Sequence, residues 1–364
     1  MLTGGGTGGH AYPAVAIAEA LREIDPSVEL LFVGSRTGPE SRIAAEADIS
    51  FRSVPCAPFP RSLAGSDVVG VAKIIAGFVV SLAVLRRFGP DVAVGTGGYT
   101  TVPVLLAQRT LGKPIVIHEQ NAVAGRANLF LARFARRVCV TFPSSVKSFP
   151  RDKTVVTGLP IRKKFFQLPT KAEARAALGM HTDCFTILVV GGSLGARRLN
   201  DLMFEVWPKI NDGATQVLHQ VGASNMDQAE RIKALGLAEY GGNYRVEPFV
   251  DMPVAMAAAD LLVGRSGAST LAEATAAGLP CILIPYPHAA ADEQTANARY
   301  LAEHGAAIVF RESELTPQEL AAAIIELRSS PDRLRDMSEA SRALGTPNAA
   351  REVAEIVAEL AQRV

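Results

Sequence analysis

Short apolar runs alternate with longer amphipathic stretches along the whole chain. This alternation predicts strands and helices that form parallel sheets covered on both faces. In the first half, the predicted strands are residues 29–34, 51–55, 92–95, 115–118, 138–141 and 154–157. In the second half, they are residues 186–190, 216–220, 244–247, 261–264, 281–285 and 307–309. The fold class predicted is therefore α/β, with two Rossmann-like domains that face a cleft, as in the GT-B fold.

The predicted domains are residues 1–161 and 162–345, and the charged stretch 162–178 is the predicted link between them. The tail 346–364 ends in an amphipathic helix, which is a candidate for packing back onto the first domain. Only Met1, Leu2 and Thr3 precede the first glycine loop. We therefore expect either a truncated first strand or a misassigned start codon, and the edge of that sheet is in doubt.

Residues 68–85 form an apolar stretch that resembles a membrane span. It is 18 residues long and Lys73 interrupts it, whereas a span needs about 20 apolar residues. We expect a helix that lies in the membrane interface. A buried helix and a true span are the alternatives. The residues expected to meet the lipid are Ile74, Ile75, Phe78 and Leu82.

The charge balance excludes a general nucleic-acid binder, because 37 basic residues stand against 36 acidic ones in 364 residues. Charge is nevertheless uneven, since residues 113–164 are strongly basic. That stretch is either a solvated face or a patch for anionic lipid headgroups. The four scattered cysteines fit a reducing cytoplasm.

Three glycine-rich loops, residues 4–10, 95–99 and 191–196, each open a predicted helix. Glycine lets the backbone approach a phosphate, and a helix N-terminus offers N–H groups to its charge. Together they predict a site for a substrate that carries a diphosphate. A dehydrogenase is the rival interpretation, but residues 33–36 supply no acid at the strand end where a ribose would bind.

The stretch 267–273, GASTLAE, places small hydroxyl residues at a helix start and Glu273 one turn later. Such a carboxylate can accept hydrogen bonds from both hydroxyls of a ribose. A helix cap with a first-turn glutamate is the alternative interpretation.

Several motifs together closely resemble the MurG family of bacterial peptidoglycan glycosyltransferases. The matching stretches, in the family's order, are GGGTGGHAYPAVAIAEAL (4–21), PDVAVGTGGYTTVP (90–103), HEQNAVAGRAN (118–128), VVGGSLGARRLN (189–200), RSGASTLAEATAAGLP (265–280) and DEQTANA (292–298). The short N-terminus and residues 287–290 depart from the pattern. The resemblance implies an inverting, β-1,4 transfer of N-acetylglucosamine from UDP-N-acetylglucosamine to lipid I, which gives lipid II. It implies no cofactor, no required metal, and a peripheral location on the cytoplasmic face of the membrane.

The resemblance also implies the donor site. Its residues are Thr7, Gly8, Gly9, Asn128, Arg162, Ser193, Val250, Ala268, Ser269, Thr270, Leu271, Ala272, Glu273 and Gln294. The second loop is expected to bind the acceptor, through Gly97, Gly98, Tyr99 and Asn121. The candidate catalytic bases are His10 first, Glu119 second, and His118 beside it.

Two other functions use the same architecture. A UDP-N-acetylglucosamine 2-epimerase would bind the same donor without a lipid, and the apolar helix and the HEQN segment argue against it. A sugar-nucleotide sensor would need Glu273 and the glycine loops but neither His10 nor an acceptor surface. Acceptor-dependent release of UDP separates the transferase from both.

Overall fold

The computed structural model of the protein describes residues 1–57, 68–192, 195–225, 227 and 243–363. The chain forms two compact units, each with its own parallel sheet. Unit 1 comprises Met1–Arg162 and Thr346–Val364, and unit 2 comprises Lys163–Gly345. The boundary thus follows Arg162, one residue after the position predicted from the sequence.

Unit 1 contains a seven-stranded sheet with the order β3-β2-β1-β4-β5-β6-β7. Its strands are β1 (Leu2–Thr3), β2 (Leu31–Gly34), β3 (Ser50–Ser53), β4 (Ala93–Gly95), β5 (Ile115–Glu119), β6 (Arg137–Val140) and β7 (Thr154–Val156). The two-residue strand β1 lies in the middle of the sheet, because Leu2 pairs with Phe32 on one side and Val94 on the other. The sequence analysis placed the doubt at an edge of the sheet, whereas the short strand β1 lies in its middle.

Helices cover both faces of this sheet. They are α1 (Gly8–Ile24), α2 (Glu40–Glu46), α3 (Val68–Phe88), α4 (Thr101–Thr110), α5 (Arg126–Leu131) and, from the end of the chain, α13 (Ala349–Gln362). Alternate residues of a strand point to opposite faces. Phe32 accordingly packs into the core with α1 and α13, whereas Leu31 and Val33 pack into the core with α3 and α4.

Unit 2 contains a six-stranded parallel sheet with the order β10-β9-β8-β11-β12-β13. Its strands are β8 (Phe185–Val190), β9 (Thr215–Gln220), β10 (Tyr244–Glu247), β11 (Leu261–Gly264), β12 (Cys281–Leu283) and β13 (Ala307–Val309). Its described helices are α6 (Lys171–Ala177), α7 (Arg197–Ile210), α8 (Met252–Ala258), α9 (Ala268–Ala277), α10 (Glu293–Glu303), α11 (Pro317–Arg328) and α12 (Pro331–Ala343). This strand order is that of a doubly wound Rossmann sheet.

The predicted link 162–178 is instead mostly part of unit 2. Thr170 and Glu173 form a reciprocal capping box that starts α6. Arg175 on this helix is buried, donates to the carbonyl oxygen of Ala258 and pairs with Asp260 at 2.6 Å. The helix is therefore anchored to the domain that follows it.

Helix α3 has one face on the core and one apolar face exposed. Phe78 and Leu82, which were expected to face lipid, instead pack against the core around Leu85. The exposed side chains include Ile75 at 59% and Val79 at 58%. The stretch Val69–Phe88 is long and apolar enough to cross a membrane by length and composition, and 17% of its most apolar part is buried. The exposed apolar face of α3 is therefore rotated from the face that was predicted to meet lipid.

Candidate active site

Two glycine loops meet where the strand order of unit 1 reverses, after β1 and after β4. The N–H of Gly5 donates to the carbonyl oxygen of Gly97 at 3.2 Å. A Cβ atom on Gly98 would overlap the carbonyl of Gly5, and Gly98 has a φ of +85°. Glycine is thus required there by both conformation and space. The carboxyl edge at a switch point is where such sheets bind ligands.

The buried carboxylate of Glu40 accepts a hydrogen bond from the backbone of the first glycine loop. Its Oε1 accepts the N–H of Gly6 at 2.6 Å, and both of its oxygens lie within 3.2 Å of the Ser35 hydroxyl. A phosphate that bonds to this N–H would have to share it with Glu40 or displace that carboxylate. Helix α1 begins directly after this loop, with Thr7 as its exposed N-cap and Gly8 and Gly9 following, and the Thr7 side chain makes no capping hydrogen bond.

Tyr99 lies beside this carboxylate on the second loop. Burial raises the pKa of its phenol above the usual 10, and the nearby Cys56 and Glu40 act in the same direction. The phenol therefore keeps its proton at neutral pH and can donate a hydrogen bond to an anionic ligand.

His10, the first candidate base, is partly exposed at the start of α1. Its Nδ1 lies 2.7 Å from Oε1 of Gln120. Its ring packs on Gly97, where an added Cβ would come within 3.1 Å of Nδ1. The ring is therefore held between the glycine loop after β4 and Gln120, the residue that follows β5.

His118 and Glu119 do not have the exposure that a base in contact with substrate needs. The ring of His118 is fully buried, its Nε2 lies 2.9 Å from the carbonyl oxygen of Gly158, and burial lowers its pKa to about 4. The Glu119 carboxylate is 2% exposed and accepts the N–H groups of Asn121 at 3.0 Å and Gly125 at 2.9 Å. The Glu119 carboxylate thus organises the loop after β5 and the His118 ring bonds to the backbone at Gly158, so both side chains are buried, unlike the exposed base that was expected.

The three other predicted site residues of unit 1 lie near this loop or at the unit's end. Asn128 is 4% exposed and its Nδ2 donates to Oε2 of Glu119 at 2.9 Å. The carbonyl oxygen of Asn121 accepts the Ser145 hydroxyl at 2.8 Å. The guanidinium of Arg162 stacks over the ring of Tyr12, 4.2 Å from its centroid. Asn128 and Asn121 are thus part of the loop scaffold.

The glycine loop of unit 2 follows β8, again where the strand order reverses. Ser193 lies outside the described residues, so its predicted contact with the donor stays a prediction. Gly195 has a φ of +75°, and a Cβ there would overlap the carbonyl of Val221. Helix α7 follows with no side-chain cap on its N-terminus.

The predicted phosphate and ribose site lies at the start of α9. Gly267 is its N-cap and has no side chain to cap the helix, and no atom lies within 4 Å of a Cβ built on Gly267. The side chains of Ser269, Thr270 and Glu273 are partly exposed, and Ala272 lies among them. Ala268 and Leu271 are buried, so they can offer only backbone groups.

Two more predicted donor residues already make hydrogen bonds within unit 2. Oε1 of Gln294 accepts the N–H of Tyr286 at 3.0 Å, which leaves the Nε2 amide to donate. The N–H of Val250 donates to Oε1 of Gln220 at 3.3 Å. A uracil that bonds to this N–H would have to share it with Gln220 or displace that side chain.

Arg265 and Gln120 were missed by the sequence analysis. Arg265 follows β11, is 6% exposed, donates to the carbonyl oxygen of Ile284 at 3.0 Å and pairs with Glu312. Arg265 thereby links the carboxyl ends of neighbouring strands close to the start of α9. Both residues lie inside the quoted motifs, but a motif does not say which side chains meet.

Among the described residues, no three His, Cys, Asp or Glu side chains are grouped so as to hold a metal ion.

Comparison with known proteins identifies similar sequences over the full length of the chain. Residues 1–140 match the glycosyltransferase family 28 N-terminal domain, and residues 186–357 match the C-terminal domain of that family. A UDP-N-acetylglucosamine–N-acetylmuramyl-(pentapeptide) pyrophosphoryl-undecaprenol N-acetylglucosamine transferase of Desulfitobacterium hafniense is 42% identical over 99% of each chain.

Several solved structures have a fold similar to that of this chain. The crystal structure of Acinetobacter baumannii MurG is 31% identical, with a TM-score of 0.77 over 99% of this chain and 98% of that one. A putative UDP-N-acetylglucosamine 2-epimerase from Listeria monocytogenes reaches a TM-score of 0.71 at 14% identity, over 100% and 96% of the two chains, which shows a shared fold alone. The two parallel α/β units therefore constitute a GT-B fold.

Proposed function

We propose, from the premise that this chain belongs to the MurG family of N-acetylglucosamine transferases, that it transfers N-acetylglucosamine from UDP-N-acetylglucosamine to lipid I, forming lipid II. The observation that carries this proposal is the 42% identity to a transferase of that name across 99% of both chains. The glycine loops at both switch points and the uncapped start of α9 support it, because each suits a ligand with phosphate groups.

The proposed reaction is a single displacement that inverts the anomeric carbon. The C4 hydroxyl of the muramoyl sugar attacks C1 of N-acetylglucosamine, forming a β-1,4 bond while the bond to UDP breaks. His10 removes the hydroxyl proton as the general base. Partial exposure and a place at the carboxyl edge of the sheet support His10 over His118 and Glu119, which are buried.

The leaving diphosphate gains charge as the bond breaks, and we propose that helix N-termini rather than a metal ion stabilise it. The N-cap residues of α7 and α9 are Ala196 and Gly267, whose side chains cannot cap a helix, and the positive dipole end of each helix favours phosphate oxygens. Glu273, one turn into α9, binds the ribose hydroxyls, and Gln294 donates its amide to the sugar.

The acceptor is a lipid, and we propose that unit 1 meets it at the cytoplasmic face of the membrane as a peripheral protein. The exposed apolar face of α3 supports this, as do the basic residues Arg86 and Arg87 in its last turn. Cationic side chains near an apolar face favour an anionic surface. Lys73, on the exposed side of the same helix, argues against a span.

The first test is incubation with UDP-N-acetylglucosamine, with and without a water-soluble lipid I analogue. We expect UDP release that depends on the analogue and a disaccharide product. Release of UDP together with free N-acetylmannosamine would identify an epimerase. Binding without either reaction would identify a sensor.

The second test concerns the base. His10→Ala should lower kcat by about 100-fold or more, because general-base catalysis contributes about 10²–10⁴ to the rate. The KM for the donor should change little. His304→Ala, at an exposed histidine of unit 2, is the matched control. A normal kcat with a raised KM would assign His10 to binding instead.

A further inference from the structure

A closed set of hydrogen bonds surrounds His10 and connects three segments of unit 1. The Thr96 hydroxyl donates to the carbonyl oxygen of His10 at 2.6 Å. Nε2 of Gln120 donates to the carbonyl oxygen of Thr96 at 2.7 Å, and its Oε1 lies 2.7 Å from Nδ1 of His10. Thr96 is fully buried and Gln120 is 4% exposed. Water therefore competes little for these bonds.

The chemistry of this set determines where the proton of His10 lies. A backbone carbonyl can only accept, so the amide group of Gln120 must direct its NH₂ toward Thr96. Its oxygen then faces His10, and this oxygen can also only accept. Neutral His10 must therefore donate from Nδ1, which leaves the lone pair on Nε2.

We propose that Gln120 is a positioning residue that keeps neutral His10 in the tautomer protonated on Nδ1, so that Nε2 receives the proton of the attacking hydroxyl. The base role of His10 rests on the proposed function. After transfer both ring nitrogens carry protons, and Gln120 still accepts from Nδ1. The proton on Nε2 then passes to water, which restores the starting tautomer.

Two other histidines show the opposite arrangement. Nε2 of His118 faces the carbonyl oxygen of Gly158 at 2.9 Å, and Nε2 of His219 faces Oδ1 of Asn200 at 3.0 Å. The amide of Asn200 also has its orientation set, because its Nδ2 donates to the carbonyl of Val221. Both rings must carry the proton on Nε2, so each serves as an internal reference of the other tautomer.

The direct test is nitrogen–proton correlation NMR of the histidine rings in the whole protein, without substrate, at a pH where His10 is neutral. His10 is assigned by the signal that disappears in His10→Gln. We expect its proton on Nδ1, while His118 and His219 carry theirs on Nε2. A His10 ring with its proton on Nε2 overturns the proposal.

The kinetic test compares Gln120→Leu with Gln108→Leu. Gln108 is a matched control, since it is also buried in unit 1 and its Nε2 also donates to a backbone carbonyl, that of Pro90. Loss of the tautomer-fixing partner of a catalytic histidine costs about 10⁴ in kcat in a protease triad. We expect Gln120→Leu to lower kcat by at least about 10-fold with an unchanged donor KM and with some His10 signal moved to the other tautomer.

The charged variant Gln120→Glu separates positioning from mere packing. A carboxylate keeps the acceptor at Nδ1 and adds a negative charge, which favours the protonated imidazole. The acidic limb of the kcat profile should move up by about one pH unit or more, with kcat at high pH above that of Gln120→Leu. An unchanged kcat in folded Gln120→Leu, or an unmoved limb in Gln120→Glu, would contradict the proposal. If the unmodified protein lacks transferase activity, the proposed function fails while the NMR result still decides the tautomer.

Discussion

At the scale of single residues, histidine side chains have different roles that depend on their burial and on their hydrogen-bond partners. His10 is partly exposed and bonds to an amide oxygen, whereas His219 is fully buried between Asn200 and Tyr244. Burial lowers the pKa of His219 to about 3, because the protonated ring would lose its hydration. His219 is therefore a neutral structural residue, and this has a measurable effect on stability.

The stability of unit 2 should fall with pH below about 6.5, the ordinary pKa of an unfolded histidine. Between that value and about 3, the unfolded chain binds a proton at residue 219 that the folded chain does not. The free energy of unfolding then falls by up to about 1.4 kcal/mol per pH unit for this one group.

Urea unfolding at pH 7, 6 and 5 measures this slope, with the fluorescence of Trp207, the single tryptophan, as the probe of the unit 2 core. His219→Gln should flatten the slope, even if it lowers stability at every pH. The same change at exposed His304 should leave the slope as it is. Equal slopes in the parent protein and His219→Gln would show that residue 219 does not stay neutral in the folded state.

At the scale of elements, much of the fold could be predicted because its signals are local. Alternating apolar runs predicted the strands of both sheets except the two-residue β1, and the glycine loops marked both switch points. Helix α6 lies in the stretch predicted to link the domains, although Thr170 with Glu173 forms a capping box, as Thr316 with Glu319 does at the start of α11. These pairs are visible in the sequence and could have been used.

The contacts that shape the site could not be predicted in this way. Gly6 and Glu40 are 34 positions apart, and His10 and Gln120 are 110 apart. No local pattern connects such residues, since the sheet order alone brings them together. The side of α3 that packs on the core could not be predicted for a different reason. Its apolar residues surround the helix, so their spacing does not say which side packs on the core.

Helix α3 provides the prediction at this scale. Ile75→Glu should lower binding to vesicles that contain phosphatidylglycerol by at least about 10-fold, because a charge replaces apolar area at the lipid boundary. Co-sedimentation measures the binding, and kcat on a water-soluble acceptor analogue should not change. Ile325→Glu is the matched control, because Ile325 on α11 is also exposed, at 44%. Equal binding by the parent and Ile75→Glu would remove α3 from the membrane proposal.

At the scale of the whole molecule, unit 1 is built from two separate parts of the chain. Helix α13 contributes Val353, Ala354, Val357 and Leu360 to the same core as α1 and β1. The amphipathic tail was a candidate for packing back onto the first domain, and α13 lies in that unit. The first unit therefore depends on residues that follow the whole of the second.

A substitution in α13 tests this dependence. Val353 is fully buried, so Val353→Ala should lower the stability of unit 1 by about 2 kcal/mol. Hydrogen exchange should quicken in the amides of α1 and stay unchanged in those of α7. Val156→Ala, at a residue 44% exposed on strand β7, should have an effect of less than about 0.5 kcal/mol. Equal exchange of α1 in the parent and Val353→Ala would mean that α13 adds little to the core.

The same arrangement has a consequence for biosynthesis. A ribosome makes about 5–20 residues each second, and domains ordinarily fold in the order in which they emerge. Here the sheet made first lacks one helix of its core until the sheet made second has been translated. The apolar face of α1 that α13 covers must remain exposed during that interval. The C-terminal unit is therefore the first that can complete its core, and the N-terminal unit completes its own only when the last helix of the chain has been made.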